Sequence, residues 1–211
     1  MTTKNYAKLT QAMQRKTLVK FWNPYDEGST QGYVLDIGPR FFLLALIGED
    51  MRFNGFQCLL LSDIRRLQVP SKYADFVTAA LRKRGESILR KPRIKLNTLP
   101  ELLESASRLF PLMAIHQERL NPDTCKIGRA IGANKSHEVL LEIGPDALWE
   151  EVPTAIPFRE ITRVDFGGDY EEALYIVGGT PDLSKCKPQK TPRSSKKRAS
   201  IAISARTPGR S

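Results

Sequence analysis

Ten basic side chains crowd one stretch of the chain: Arg65, Arg66, Lys72, Arg82, Lys83, Arg84, Arg90, Lys91, Arg93 and Lys95. Cations at this density suit phosphate. Each one that neutralises a phosphate releases counterions and adds affinity without reading sequence. Aromatic side chains nearby could stack bases, although Phe41, Phe42, Phe53 and Phe56 fall in apolar runs and are expected in the core. The same ten residues also fit a solvated helix end, or an interface to an acidic part of the chain.

Other chemistry is sparse. Carboxylates cluster at Asp146, Glu150 and Glu151, and again at Asp165, Asp169, Glu171 and Glu172. Hard cations favour oxygen ligands. DYEEAL, however, opens a helix, where acids suit the positive end of the dipole and Asp169 is a candidate N-cap. His116 and His137 stand apart, with no nucleophile or orienting partner at a recognisable spacing. Cys58, Cys125 and Cys186 form no CxxC pair, so neither a zinc knuckle nor a disulfide framework is indicated. GxGxxG, GxxxxGKS/T, HExxH and GxSxG are absent. The chain therefore reads as non-enzymatic, with no catalytic residue, no metal site and no cofactor.

The elements that position the basic cluster follow from charge and periodicity. The chain has 211 residues and a net charge of +10, which corresponds to one or two domains. Residues 1–95 carry 17 basic and 8 acidic residues, 96–180 carry 7 and 14, and 181–211 carry 9 and 1. That asymmetry suggests lobes that attract each other or meet different partners. No apolar run approaches the roughly 20 residues of a membrane span. The polar start and free thiols suggest a cytoplasmic location.

An internal repeat organises the rest. At an offset of 97, FLLAL (42–46) faces VLLEI (139–143), and CLLLSDIRRL (58–67) faces AIPFREITRV (155–164). A one-residue slip also pairs Gly32 with Gly128. Each copy reads as a helix, five short strands and a closing helix. In copy one these are helix 4–15, strands near 16–22, 32–37, 41–47, 56–61 and 63–69, and helix 72–84. Tyr73, Phe76, Val77 and Leu81 fall there on one stripe. In copy two they are helix 100–110, strands near 112–120, 125–131, 138–143, 154–161 and 162–166, and helix 169–177. Trp149 is expected to plug the end of a barrel.

Three features carry a family resemblance: a helix before the first strand, glycine opening the second (Gly32-Tyr33-Val34, Gly128-Arg129-Ala130), and a late acidic-Ile-x-Arg-hydrophobic strand (Asp63–Leu67, Glu160–Val164). With these the chain resembles the Sm-like superfamily of Sm, LSm and Hfq-type RNA-binding proteins over roughly residues 5–178. Copy two also looks like a group of uncharacterised bacterial proteins of that fold. The resemblance implies a mainly β chain of two tandem five-stranded barrels with flanking helices. The units would be a basic repeat at 1–88, a linker at 89–99, an acidic repeat at 100–180 and a disordered basic tail at 181–211. The family's RNA-site motifs are missing. Asp36-Ile-Gly-Pro-Arg lacks the expected Asn and Arg65-Arg66 lacks the following Gly, so no uridine-pocket residue carries over. The expected function is non-specific binding of RNA or single-stranded nucleic acid through the basic lobe and tail. The alternative is a protein-interaction or self-associating module that pairs through strand edges.

Overall fold

The computed structural model describes residues 3–25, 27–88 and 90–186. The basic tail expected from residue 181 lies, beyond Cys186, outside the described residues. Helix α1 (Thr3–Arg15) precedes strands β1 (Leu18–Trp22), β2 (Thr30–Ile37), β3 (Phe41–Ile47), β4 (Phe53–Leu60) and β5 (Arg66–Gln68), with helix α2 (Ala74–Lys83) after them. Helix α3 (Leu99–Ser107) leads strands β6 (Met113–His116), β7 (Cys125–Ala133), β8 (His137–Glu142), β9 (Thr154–Pro157) and β10 (Arg163–Phe166), followed by helix α4 (Asp169–Gly178) and a 3-10 turn at Leu183–Lys185. One-turn 3-10 helices occupy Leu61–Asp63 and Phe158–Glu160, at the offset of 97 seen in the sequence.

The expected pair of closed Sm-like barrels is not what forms. All ten strands make one open antiparallel sheet, ordered β5-β1-β2-β3-β4-β10-β6-β7-β8-β9. Within each half the fifth strand returns to pair with the first, β5 with β1 and β10 with β6. Closure would need the fourth strand to meet its own fifth. Instead β4 gives its free edge to β10 of the other half, in the register Arg163↔Leu59 through Phe166↔Phe56. Backbone N–H and C=O groups at that edge are satisfied across the seam, and the sheet ends are left open at β5 and β9.

The halves nonetheless share their irregularities. Both β2 and β7 shift register by a bulge, between Val34 and Asp36 and between Ala130 and Gly132, just past the matched glycines. Leu43 lies between Asp36 and Cys58, while Val139 lies between Gly132 and Ala155. By ladder position the counterpart of Leu43 in the second half is thus Val139, one residue from its sequence match Leu140. A one-residue slip reverses which face a side chain meets.

Directly opposed residues share a face, and faces alternate along each strand. Leu9 and Ala12 of α1 pack on Val19, Phe21, Val34, Phe42, Leu44 and Leu59. Val77 and Leu81 of α2 pack on the reverse face, against Leu18, Tyr33, Ala45 and Ile47. Leu102, Leu103 and Ala106 of α3 join Leu43, Cys58, Leu60, Met113, Ile115, Leu140 and Val164 in the central cluster. Leu174 of α4 meets Leu112, Ile143 and Ala147. Helices α2 and α3 therefore cover one face, and α1 and α4 the other. With both faces covered, β3 reads as the unbroken apolar run FFLLALI. Trp149 plugs no barrel. It packs beneath α4 and donates from Nε1 to the Gly178 carbonyl at 3.1 Å.

Candidate nucleic-acid interface

Of the four residues that share the α2 stripe, two are buried. Val77 and Leu81, four apart, face the sheet. Tyr73 and Phe76 turn outward, 57% and 59% exposed, because the helix starts at Ala74 and meets only a narrow strip near β1. Lys83 falls on the same outer stripe by helical spacing, and Lys72 lies beside it with Nζ 5.3 Å from the Tyr73 ring centroid. The helix is pinned by a 2.9 Å hydrogen bond from the Ser71 amide to the Leu18 carbonyl and by a 3.0 Å hydroxyl pair between Tyr33 and Thr78. The outer face thus carries cation, ring, ring and cation on a fixed support.

The remaining candidates divide into three groups. Arg66 lies over the Trp22 ring at 4.6 Å, and Lys20 approaches the same ring at 5.5 Å. Strand alternation places Lys20, Trp22 and Arg66 on the α2 face of the sheet. Arg65 is exposed just before β5. Along 93–96 exposure alternates, with Arg93 and Lys95 outward and Ile94 and Leu96 in the core. Arg82 and Arg90 are exposed. Two of the ten are occupied within the fold: Arg84 donates to the carbonyls of Asp50 and Met51, and Lys91 forms a 2.7 Å ion pair with Asp36. Sequence reasoning missed Lys20 and Trp22. Their signal was present in KTLVKFW, where one face of the strand reads Leu18, Lys20, Trp22.

A second polar cluster was not anticipated. His116, read from sequence as an ordinary histidine, joins Glu118, Arg163, Asp165 and Gln57 at the β4–β10 seam. Arg163 reaches Glu118 Oε1 at 3.1 Å, Asp165 Oδ2 at 3.3 Å and His116 Nδ1 at 2.9 Å. The other ring nitrogen, Nε2, lies 3.3 Å from the same Arg163 nitrogen and 3.1 Å from Asp165 Oδ2. Gln57 Nε2 adds a 3.2 Å bond to the same oxygen. These residues come from both halves and unite only through tertiary pairing.

Cys125 sits opposite His116 in the β6–β7 ladder. Desolvation first, then the charges of Asp165 and Glu171 against that of Arg163, push its thiol above the ordinary value. That direction opposes thiolate chemistry. Among the described residues no group of three or more His, Cys, Asp or Glu is placed to hold a metal ion. Asp169 does not cap its own helix. The N-cap is Gly168, and the Asp169 amide donates to Asn54 Oδ1 at 2.9 Å, from the other half. Among the described residues no helix is long and apolar enough to cross a membrane.

No family model, curated protein or solved structure matches this chain. The Sm-like resemblance is thus without a matching family as well as without its closed barrels.

Proposed function

We propose that the protein binds single-stranded nucleic acid, RNA foremost, through the outer face of α2 and without strong sequence preference. The observation that carries this reading is the exposure of Tyr73 and Phe76 between Lys72 and Lys83. Every base has a stacking face and every nucleotide a phosphate, so alternating rings and cations suit any sequence. Lys20, Trp22 and Arg66 extend the track toward β5, while Arg93 and Lys95 extend it along the segment leading to α3.

Fluorescence anisotropy with labelled single-stranded RNA across a salt series tests it. Binding is expected to weaken with a log–log slope of about −0.7 per phosphate neutralised. Replacing Lys72, Arg82 and Lys83 together by Ala should make the slope shallower by about 2 and weaken all sequences alike. Tyr73→Ala with Phe76→Ala should cost about 1–3 kcal/mol per stacked base and leave the slope unchanged. Arg84→Ala and Lys91→Ala, already engaged internally, should change little. Absence of binding by the wild-type chain at low salt ends the proposal.

Edge-to-edge self-association has one observation in its favour. The open ends, β9 and β5, are the repeat counterparts of β4 and β10, which do pair. Chains joined the same way would align Arg66 with Ile156 and Leu67 with Ala155. Both edges are short, however, and prolines bound them: Pro70 follows β5, Pro153 precedes β9 and Pro157 ends it. Proline lacks the N–H that a new partner strand needs. Light scattering is expected to give the 23.8 kDa monomer. A larger species, lost on substitution of Leu67 and Ala155 by Pro, would revive the edge reading.

A further inference from the structure

A cleft of about 460 Å³ opens between α3 and β7, with Glu101, Glu104 and Ser107 on its helical wall and Glu138 in the sheet beneath. The ladder counterpart of Glu138 in the first half is Phe42, which is fully buried beneath α1. A core position has thus been given to a carboxylate, and a cleft stands where the other half has a filled core. Glu138 is only 4% exposed, and no hydrogen bond or ion pair meets its side chain among the described residues. A buried carboxylate needs a cation or several donors to remain charged. Lacking either, this one is pushed by desolvation up to about 7. The rim acids are already engaged: Glu101 accepts from the Thr98 hydroxyl at 3.0 Å, and Glu104 pairs with Arg108. The free acceptor is therefore the one at the floor.

We infer that this cleft receives a lysine or arginine side chain, and that the occupant comes from residues 187–211 of the same chain. That segment carries eight Lys or Arg residues and no Asp or Glu. It follows directly on Cys186, and its 25 residues can reach about 80 Å when extended, farther than a folded body of this size is wide. Residues 96–180, with twice as many acids as bases, form the attractive half of the molecule for such a segment. Because the segment is tethered, its effective concentration is on the order of millimolar, and modest affinity suffices to fill the site.

Zero-length carbodiimide crosslinking of the full chain, followed by peptide mass spectrometry, tests this. The expected result is a link from Glu138, Glu101 or Glu104 to Lys187, Lys190, Lys196 or Lys197, found in the monomer. Glu138→Gln should reduce the Glu101 and Glu104 links to that segment about tenfold, as loss of a buried charge partner does. The link between Lys126 and Glu142, 3.0 Å apart, should persist and report an intact fold. Glu138→Met, apolar like the Phe42 it matches, secures the fold should the Gln variant lose that control link. The inference is overturned if the cleft acids join no lysine of the segment while Lys126–Glu142 forms. It is equally overturned if the links run only between chains, or if neither Glu138 variant reduces them.

Discussion

Replacing Arg163 by Ala is expected to destabilise the protein by about 3–5 kcal/mol, the usual cost of removing one partner from a buried charge network. Arg163 is the hub of the seam, reaching Glu118, Asp165 and His116 at once. Glu118 is buried, and without Arg163 its charge has lost its cation. Asp165 would keep only His116 and Gln57. The repeat supplies an internal control. Arg66 is the counterpart of Arg163, yet it lies exposed over Trp22 at the free edge of the sheet. Arg66→Ala is expected to cost about 1 kcal/mol or less. Urea unfolding of both variants checks the pair. Similar small losses in the two would mean that the network contributes nothing net to the seam. Adding Glu118→Gln to Arg163→Ala should return part of the loss, since it removes the orphaned charge.

Gly128→Ala is expected to cost about 3 kcal/mol or more, at the upper end of overpacking. A Cβ there would lie 2.1 Å from the Leu141 carbonyl oxygen and 2.8 Å from its carbon. Both atoms belong to the paired backbone of β8, so no side chain can turn aside. The matched Gly32 meets the Ala45 carbonyl at 2.2 Å, and Gly32→Ala should behave alike. Gly132, four residues beyond Gly128, has nothing within 4 Å of its would-be Cβ. Gly132→Ala should fall within about 0.5 kcal/mol of the wild type. Thermal and urea unfolding of the three variants distinguish close strand approach from a general glycine preference. Equal effects at Gly128 and Gly132 would refute the steric argument.

Much of the local structure was legible. The 3–4 spacing of Tyr6, Leu9 and Met13 announced α1, and FFLLALI announced β3 at its observed bounds. The paired glycines marked the second strand of each half, while the close approach of the neighbouring strand at Gly32 and Gly128 is seen only in the structure. Pro100 marked the first turn of α3, and the structure adds Thr98 and Glu101 there as a capping box. The basic cluster was visible as composition, but which of its members are free was not. Lys91 and Arg84 look like their neighbours in sequence and are occupied only because Asp36 and the 50–51 turn lie within reach. Tyr73 and Phe76 carry the same periodic signal as Val77 and Leu81. Periodicity says which residues share a stripe, not how wide a strip of the helix the sheet covers.

The order of elements, the repeated half, the apolar strands and the separation of basic from acidic residues can all be read from the residues alone. All of these depend on side-chain type and spacing over a few residues, where steric and hydrophobic preferences act directly. Which strand edge β4 meets is settled by long-range packing, and with it the open sheet, the Arg163 network and the face on which each helix lies. A strand edge presents the same N–H and C=O pattern to any partner. The choice between β5 and β10 therefore rests on packing between residues far apart in sequence, such as Phe56 against Phe110 and Phe166. The same holds for Glu138. Its alternating strand pattern places it on a face, but only the approach of α3 turns that face into a cleft.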